Sequence, residues 1–493
     1  MAKSRFNDNW MTDWRPDPGG TVPLYEQIRR HIHTKVAKGD WPAGTQLPSQ
    51  RSLAEALGVN RSTLIEALEE LKADGVLETR PGSGVWVANN TWALFADGHG
   101  TNWNQYIERG LHSPNHPVMQ AINRSENEPG IIRLGTGELS PAMFPAAMFQ
   151  RIMQRTAARI PDLNYLEGRG LLRLREVVCR RMAVLGVEAR PSQVLITTGA
   201  MQALQLVALG ITPFDATILV ERPSYLQSIR IFQSAGMRLQ SVEMDSEGLR
   251  VDAVQGAIRG RRTPFLYTMP TLHNPTGVIM PLERRRALLA LCETKRVPIL
   301  EDDLFRDLWL DAEPPPPMKA LDRFGNVIYL NGLSKSLAPG LRIGWILAPE
   351  AVIERLTDIK MQTDCGSSSL SQWVAAEFLE SGEYDAHLES VREELRKRRA
   401  VVLEALDREF SGLASWNHPS GSFFVWLTFK GMVSIERLFE QALRRKILLN
   451  PGHLYEEGET RSLRISYAYA SIEELKHGLR ELARLVASAK DAP

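Results

Sequence analysis

Apolar residues recur every fourth position in "PLYEQIRRHIHTKVAKG", where Leu24, Ile28, Ile32 and Val36 share one helical face between Pro23 and Gly39. The stretch "LPSQRSLAEALGVNRSTLIEALEELKADG" predicts two further short helices split by Gly58, with Ser49 and Asn60 suited to their N-caps. The second of these sets Leu64, Leu68 and Leu71 on one face and leaves Arg61, Ser62 and Thr63 in an exposed first turn. "GVLETRPGSGVWVA" then changes to a period of two, turns at Pro81-Gly82-Ser83-Gly84 and returns, which predicts a hairpin. Residues 21–88 therefore read as one small domain. Asn, Gly and Asp cluster without period over 89–102, a linker. From 103 to 493 helical stretches alternate with short apolar runs: Val194-Leu195-Ile196, Ile218-Leu219-Val220, Phe265-Leu266-Tyr267, Ile299-Leu300 and Val327-Ile328-Tyr329-Leu330. Such runs suit strands buried on both faces, so the large domain is predicted to be α/β with a mostly parallel sheet and flanking helices. "EPPPP" at 313–317 reads as a stiff surface loop.

Composition narrows the reading. A chain of 493 residues has room for two or three domains with sizeable cores, and 43% hydrophobic with 24% charged residues is ordinary for a folded protein. A net charge of +1 gives no sign of a polyanion binder overall, which does not exclude a small reading domain inside the average. Three widely spaced cysteines, Cys179, Cys292 and Cys365, argue against a disulfide framework or zinc site and read as core fillers. The ten histidines show no metal spacing, and His31 and His33 are expected on a helix surface. With no apolar run of about 18 residues, the expectation is a soluble, cytoplasmic protein without a metal.

A helix, a tight turn and a second helix with a polar N-terminus is the helix-turn-helix pattern, whose second helix enters the major groove. A three-helix protein-interaction module fits the same pattern. The segment Gly44 to Thr63, with "LPS", "LA", "LGV" and "NRST" at their spacings, closely resembles the winged helix of the GntR family of bacterial regulators. That resemblance implies contacts to double-stranded DNA from Arg51, Asn60, Arg61, Ser62 and Thr63, with Gly82 and Gly84 shaping the wing. Residues 21–90 carry eight Lys/Arg and eight Asp/Glu, so non-specific attraction to DNA is modest and two heads on one operator are expected.

In an open α/β sheet, ligands gather at the carboxyl ends of the strands. "TTGAMQAL" opens a helix at Gly199 and Ala200, a potential anion site. "ERPSYL" brings Tyr225, "HNPTG" brings Asn274, and "EDDLF" brings Glu301, Asp302 and Asp303. "SKSLAPGLRIG" brings Lys335 and Arg342, and "SLRISY" places Arg464 in an apolar strand. Singly, each has a bland explanation: a magnesium site, a salt bridge, turn chemistry. Together they match what pyridoxal 5'-phosphate needs: an imine-forming lysine, a carboxylate for the pyridine nitrogen, a donor for the ring oxygen and an anion cradle.

These residues resemble the fold-type I aminotransferases over about 103 to 487, a fold that adds a small α+β domain to the main sheet. The resemblance implies that Lys335 forms the Schiff base and Asp302 pairs with the pyridinium. Asn274 would meet the ring oxygen and Tyr225 would stack on the ring. Gly199, Ala200, Ser334 and Arg342 would cradle the phosphate, with Met201 on the same turn. Arg464 would take an amino-acid carboxylate, and Tyr165 in "NYLEGRG" would reach the partner's phosphate site, which implies a homodimer. Two positions depart from the family pattern: Phe305 stands where a tyrosine is usual, and Gly332 where Ser or Thr is usual. Turnover is put in doubt by the first. A GntR head on such a body resembles the MocR subfamily of transcriptional regulators. That implies a regulator sensing the cofactor, an amino acid or an amine; an active aminotransferase with an accessory DNA-binding head is the alternative.

Overall fold

The computed structural model describes residues 14–37, 40–41, 44–80, 84–88, 115–259, 264–458 and 460–490. They fall into two compact units that divide at Pro117 and Val118. The linker at 89–102, together with Gly39 and Gly82, lies outside the described residues. Among those described, no helix is long and apolar enough to cross a membrane.

The smaller unit holds α1 (Leu24–Ala37), α2 (Gln50–Leu57), α3 (Arg61–Ala73) and the antiparallel pair β1 (Leu77–Arg80) and β2 (Gly84–Val87). Ile28, Ile32, Leu64, Leu68 and Leu71 form its buried centre, as the four-residue spacing requires. Ser49 caps α2 by accepting from the Ser52 N–H at 3.2 Å, a contact worth about 1 kcal/mol. Gly58 ends that helix at φ 67°, left-handed backbone that glycine enters without strain. Asn60 differs from expectation: it precedes α3 in extended backbone but makes no side-chain cap bond, so its amide stays exposed. His31 is half-buried, with its ring stacked on Trp14 at 4.1 Å.

The larger unit is built on β4 (Val194–Thr197), β5 (Thr217–Arg222), β6 (Arg238–Asp245), β7 (Gly248–Leu249), β8 (Phe265–Thr268), β9 (Ile299–Asp302), β10 (Val327–Gly332) and β11 (Gly344–Leu347). They pair in the order β4-β11-β10-β9-β8-β5-β6-β7. β6, β5, β8, β9 and β10 run parallel, while β11 is antiparallel to both its neighbours. All five predicted apolar runs are strands of this sheet, buried on both faces. β6 escapes the sequence reading because exposed and half-buried positions interrupt it, and β11 because "GWIL" is too short to stand out.

A short pair, β3 (Ile132–Arg133) with β14 (Ile447–Leu448), and the antiparallel set β12 (Ala414–Trp416), β13 (Phe424–Phe429) and β15 (Ser462–Ser466) make two smaller sheets, and the helices of this unit include the long Glu383–Phe410. The "EPPPP" stretch at 313–317 is not only a surface loop. Pro314 and Pro317 are buried, and the carbonyls of Pro315 and Pro316 accept from Arg306 (3.0 Å) and Arg285 (3.1 Å). Cys292 fills the core as expected, but Cys179 is half-buried and Cys365 exposed.

Candidate functional site

Parallel pairing brings the ends of β8, β9 and β10 side by side, and with them Asp302 and the loop carrying Lys335. Lys335 Nζ donates to the Gly137 carbonyl at 2.8 Å. Burial lowers its pKa to about 8, against the opposing pull of Glu138, so a useful fraction of the amine is neutral near physiological pH. Asp302 closes β9 and is wholly buried. Burial pushes its carboxyl up to about 7, although it accepts from the Tyr267 hydroxyl at 2.8 Å. A carboxylate so enclosed gains from any cation brought against it.

Arg464 comes from β15, with its guanidinium 4.0 Å from the Phe424 ring centre and 5.1 Å from that of Tyr455. It donates to Asn274 Oδ1 at 2.9 Å and to the Gly135 carbonyl at 2.7 Å, while its buried Nε has no partner among the described residues. Both acceptors are neutral, so among the described residues no carboxylate balances this cation. Asn274 thus supports Arg464 through its oxygen, and its amide NH2 is left for another group. A Cβ at Gly137 would sit 3.6 Å from Arg464 and 3.9 Å from Lys335 Nζ, so this glycine backbone runs between the two.

At the anion end, Gly199 caps the helix Ala200–Gly210 at φ 103°, and a Cβ there would lie 3.3 Å from the Arg342 guanidinium. Free N–H groups and a cation therefore face one point. Ser334 is half-buried nearby in sequence, and Met201 accepts from the Tyr225 hydroxyl at 3.5 Å. Burial raises the Tyr225 hydroxyl to about 12, with Asp302 adding to the effect.

The two departures from the family pattern have local causes. Gly332 has no room for a side chain, since a Cβ would come within 2.9 Å of the Ile343 carbonyl and 3.0 Å of Gly344 Cα. Phe305 is buried, edge-on to Phe423 and Phe424, each with ring centres 5.5 Å away. Tyr165 stands apart from this cluster at 86% exposure.

Sequence reasoning missed Tyr267, Gly135 and Gly137. Tyr267 was legible only as part of an apolar run; the register Tyr267↔Leu300 sets it beside the face that Asp302 shares, two residues on. "LGTGEL" held the signal for the glycines, two of them one residue apart with no turn to require them.

In the head, Arg51, Asn60, Arg61 and Ser62 are exposed and Thr63 is half-buried. Arg29, Arg30, Lys35, Arg51, Lys72 and Arg80 each meet a carboxylate. Among the described Lys and Arg of residues 24–80, Arg61 alone has none; its one bond is to Gln50 Oε1 at 3.5 Å. Gly84 opens β2 at φ 93°.

The fold and the cluster define a class: a winged helix-turn-helix unit joined in one chain to a fold-type I, aminotransferase-like body. The chain belongs to the aminotransferase class I and II family, which matches residues 129–482, and residues 24–87 match the bacterial regulatory proteins of the gntR family. The pairing is that of MocR-type regulators. It is 44% identical to YisV, an HTH-type transcriptional regulator of Bacillus subtilis, over 96% of this chain and 98% of that one. It is 36% identical to NorG, an HTH-type transcriptional regulator of Staphylococcus aureus, over 89% of this chain and 98% of that one. Among solved structures it is similar to LysN, the alpha-aminoadipate aminotransferase of Thermus thermophilus, complexed with N-(5'-phosphopyridoxyl)-L-leucine (30% identity, TM-score 0.71, 79% and 99% covered). A multiple substrate aminotransferase of Thermococcus profundus gives 29%, 0.71, 76% and 95%. The residues present fit pyridoxal phosphate: an amine near neutrality, an enclosed carboxylate, and an anion cradle at Gly199 and Arg342 that a larger side chain would invade.

Proposed function

We propose that the protein is a DNA-binding transcriptional regulator whose body holds pyridoxal phosphate and senses an amino acid or related amine. The observation that carries the sensing half is Arg464, a buried guanidinium whose partners among the described residues are all neutral, placed across Gly137 from Lys335. A carboxylate-bearing amine supplies the missing anion to Arg464 and sets its nitrogen toward Lys335.

Bound here, the cofactor supplies an aldehyde carbon for a primary amine and a pyridinium ring that withdraws electrons. The chain does the rest. Lys335 offers a largely deprotonated amine above pH 8. Asp302, fixed by Tyr267, carries the negative charge that favours a protonated ring nitrogen. Gly199, Ala200 and Arg342 orient the phosphate, and Tyr225 covers the ring. Phe305 brings no hydroxyl to the ring oxygen, which favours holding a ligand over turning it over.

In the head, Arg61 and its neighbours in the first turn of α3 read base edges, and the two heads of a homodimer hold one operator. A ligand that prefers one arrangement of that dimer changes operator affinity by its differential affinity for the two arrangements. The test is an absorbance scan of the cofactor-loaded chain during titration with single amino acids and amines, with operator binding measured in parallel. The compound that shifts the band is expected to change operator affinity in wild type and not in Lys335→Ala. Release of a keto acid with conversion to pyridoxamine phosphate would instead make the body an enzyme.

A further inference from the structure

A cavity of about 400 Å3 lies within the larger unit, walled by β10, β11, the helices Leu172–Val184 and Glu383–Phe410, and the turn after β9. Neither Lys335 nor Arg464 lines it. Its size suits a small organic ligand. Trp309, Tyr329, Trp345 and Tyr384 make aromatic walls, and the buried indole N–H of Trp345 has no partner among the described residues.

The charged groups around it are not equally occupied. Arg306 is closed off by Asp303, Thr271 and the Pro315 carbonyl. Arg181 lies over the Tyr384 ring and forks onto Asp385 at 3.0 Å and 3.3 Å. Arg392 is different. Its guanidinium lies 4.1 Å over Trp309, and its Nε donates to the Asp307 carbonyl at 2.9 Å. Both its terminal amino groups lack an acceptor among the described residues. Among the described residues the Asp307 carboxylate accepts only the Tyr384 hydroxyl, at 2.7 Å, and the exposed Glu313 makes no ion pair.

Open donors and open acceptors thus face one aromatic-walled space. A lone anion would meet Asp307 and Glu313 there, and a lone cation would meet Arg392. A molecule carrying both charges satisfies both: its carboxylate on the Arg392 fork, its ammonium on Asp307, its side chain on the rings. We propose that this cavity is a second small-molecule site, distinct from the cofactor cleft, that takes a zwitterionic α-amino acid. The Tyr384 hydroxyl also hydrogen-bonds Ser336 Oγ at 2.7 Å, so the cavity shares a wall with the residue after Lys335.

The test is calorimetric titration of full-length Lys335→Ala with each of the common protein amino acids, a variant that makes the outcome independent of the cofactor reading. At least one amino acid is expected to bind. Adding Arg392→Ala or Asp307→Asn should weaken that binding roughly tenfold or more, and adding Arg464→Lys should leave it unchanged. Asp307→Asn keeps an acceptor for Tyr384 and so guards against simple misfolding, which a thermal melt of each variant checks. Binding that follows Arg464 and ignores Arg392 and Asp307 places the ligand in the cofactor cleft and overturns the proposal. No binding by any of the amino acids overturns it as well.

Discussion

Arg464 and Arg61 are both arginines without a carboxylate among the described residues, yet one is 5% exposed between two rings and the other stands in the first turn of α3 in contact with solvent. Desolvation makes the first strongly dependent on what it meets: inside the body an anion is worth far more than in water. The second is screened, so it gains little from any one charge, and in the proposed reading it would act through geometry, as a fork offered to a groove. Under the proposed function, the body's cofactor cleft would concentrate free energy on a small ligand, whereas the head would spread it over a polymer. That is the division of labour expected of a sensor joined to a reader.

Replacing Lys335 breaks the body's half outright. Lys335→Ala is expected to abolish the absorbance band of bound pyridoxal phosphate while leaving the circular dichroism of the fold intact, because the amine makes one bond, to Gly137. A band that survives places the cofactor elsewhere. Arg464→Lys is the next largest effect. Lysine keeps the charge but loses the fork that reaches Asn274 and Gly135 together. Affinity of the cofactor cleft for amino acids, read from the shift of the cofactor absorbance band, should fall by about 2 kcal/mol, while amines lacking a carboxylate should be little affected. Equal losses for both would mean that Arg464 holds the cleft together rather than the ligand.

The head's half is sharpened by contrasting two of its own arginines. Arg61→Ala should weaken operator binding by about 1–3 kcal/mol with the cofactor band unchanged. Arg51 already meets Glu55 at 3.1 Å across a solvent-exposed turn, so Arg51→Ala should cost less. A gel-shift titration at fixed salt orders the two, and the reverse order would move base reading from α3 to α2.

Much of this was legible in sequence because buried elements announce themselves. The five apolar runs are strands because each is a short β-branched or aromatic stretch bounded by polar or turn-forming residues, and Lys335, Asp302 and Asn274 follow at their ends. What sequence could not supply was the partner of each group. Tyr267 sits among residues that merely fill the core until the register of β8 against β9 sets it on Asp302. Gly137 lies nearly two hundred positions before Lys335, and only the fold brings its carbonyl there. The prolines at 314–317 look like a loop in sequence because their role is to offer carbonyls, which no side-chain pattern records.

The smallest expected effect separates what Asp302 does for the cofactor from what it does to the fold. In the folded chain its carboxyl titrates at about 7, well above the ordinary carboxylate range, because it is buried. Between about pH 4 and 7 the folded state therefore holds a proton that the unfolded state has released, and stability falls as pH rises through that window. Asp302→Asn removes the buried charge and keeps an oxygen for the Tyr267 hydroxyl. Cofactor-free Asp302→Asn should melt above wild type at pH 8 and level with it near pH 4, because the burial cost of the charge is present only at the higher pH. With pyridoxal phosphate present the order should invert, because the wild-type carboxylate then has a cation to face and the amide does not. Melting curves at the two pH values, with and without the cofactor, check both halves. A variant that is less stable in every condition would show that Asp302 serves the fold, and that the pairing with a bound pyridinium has been misassigned.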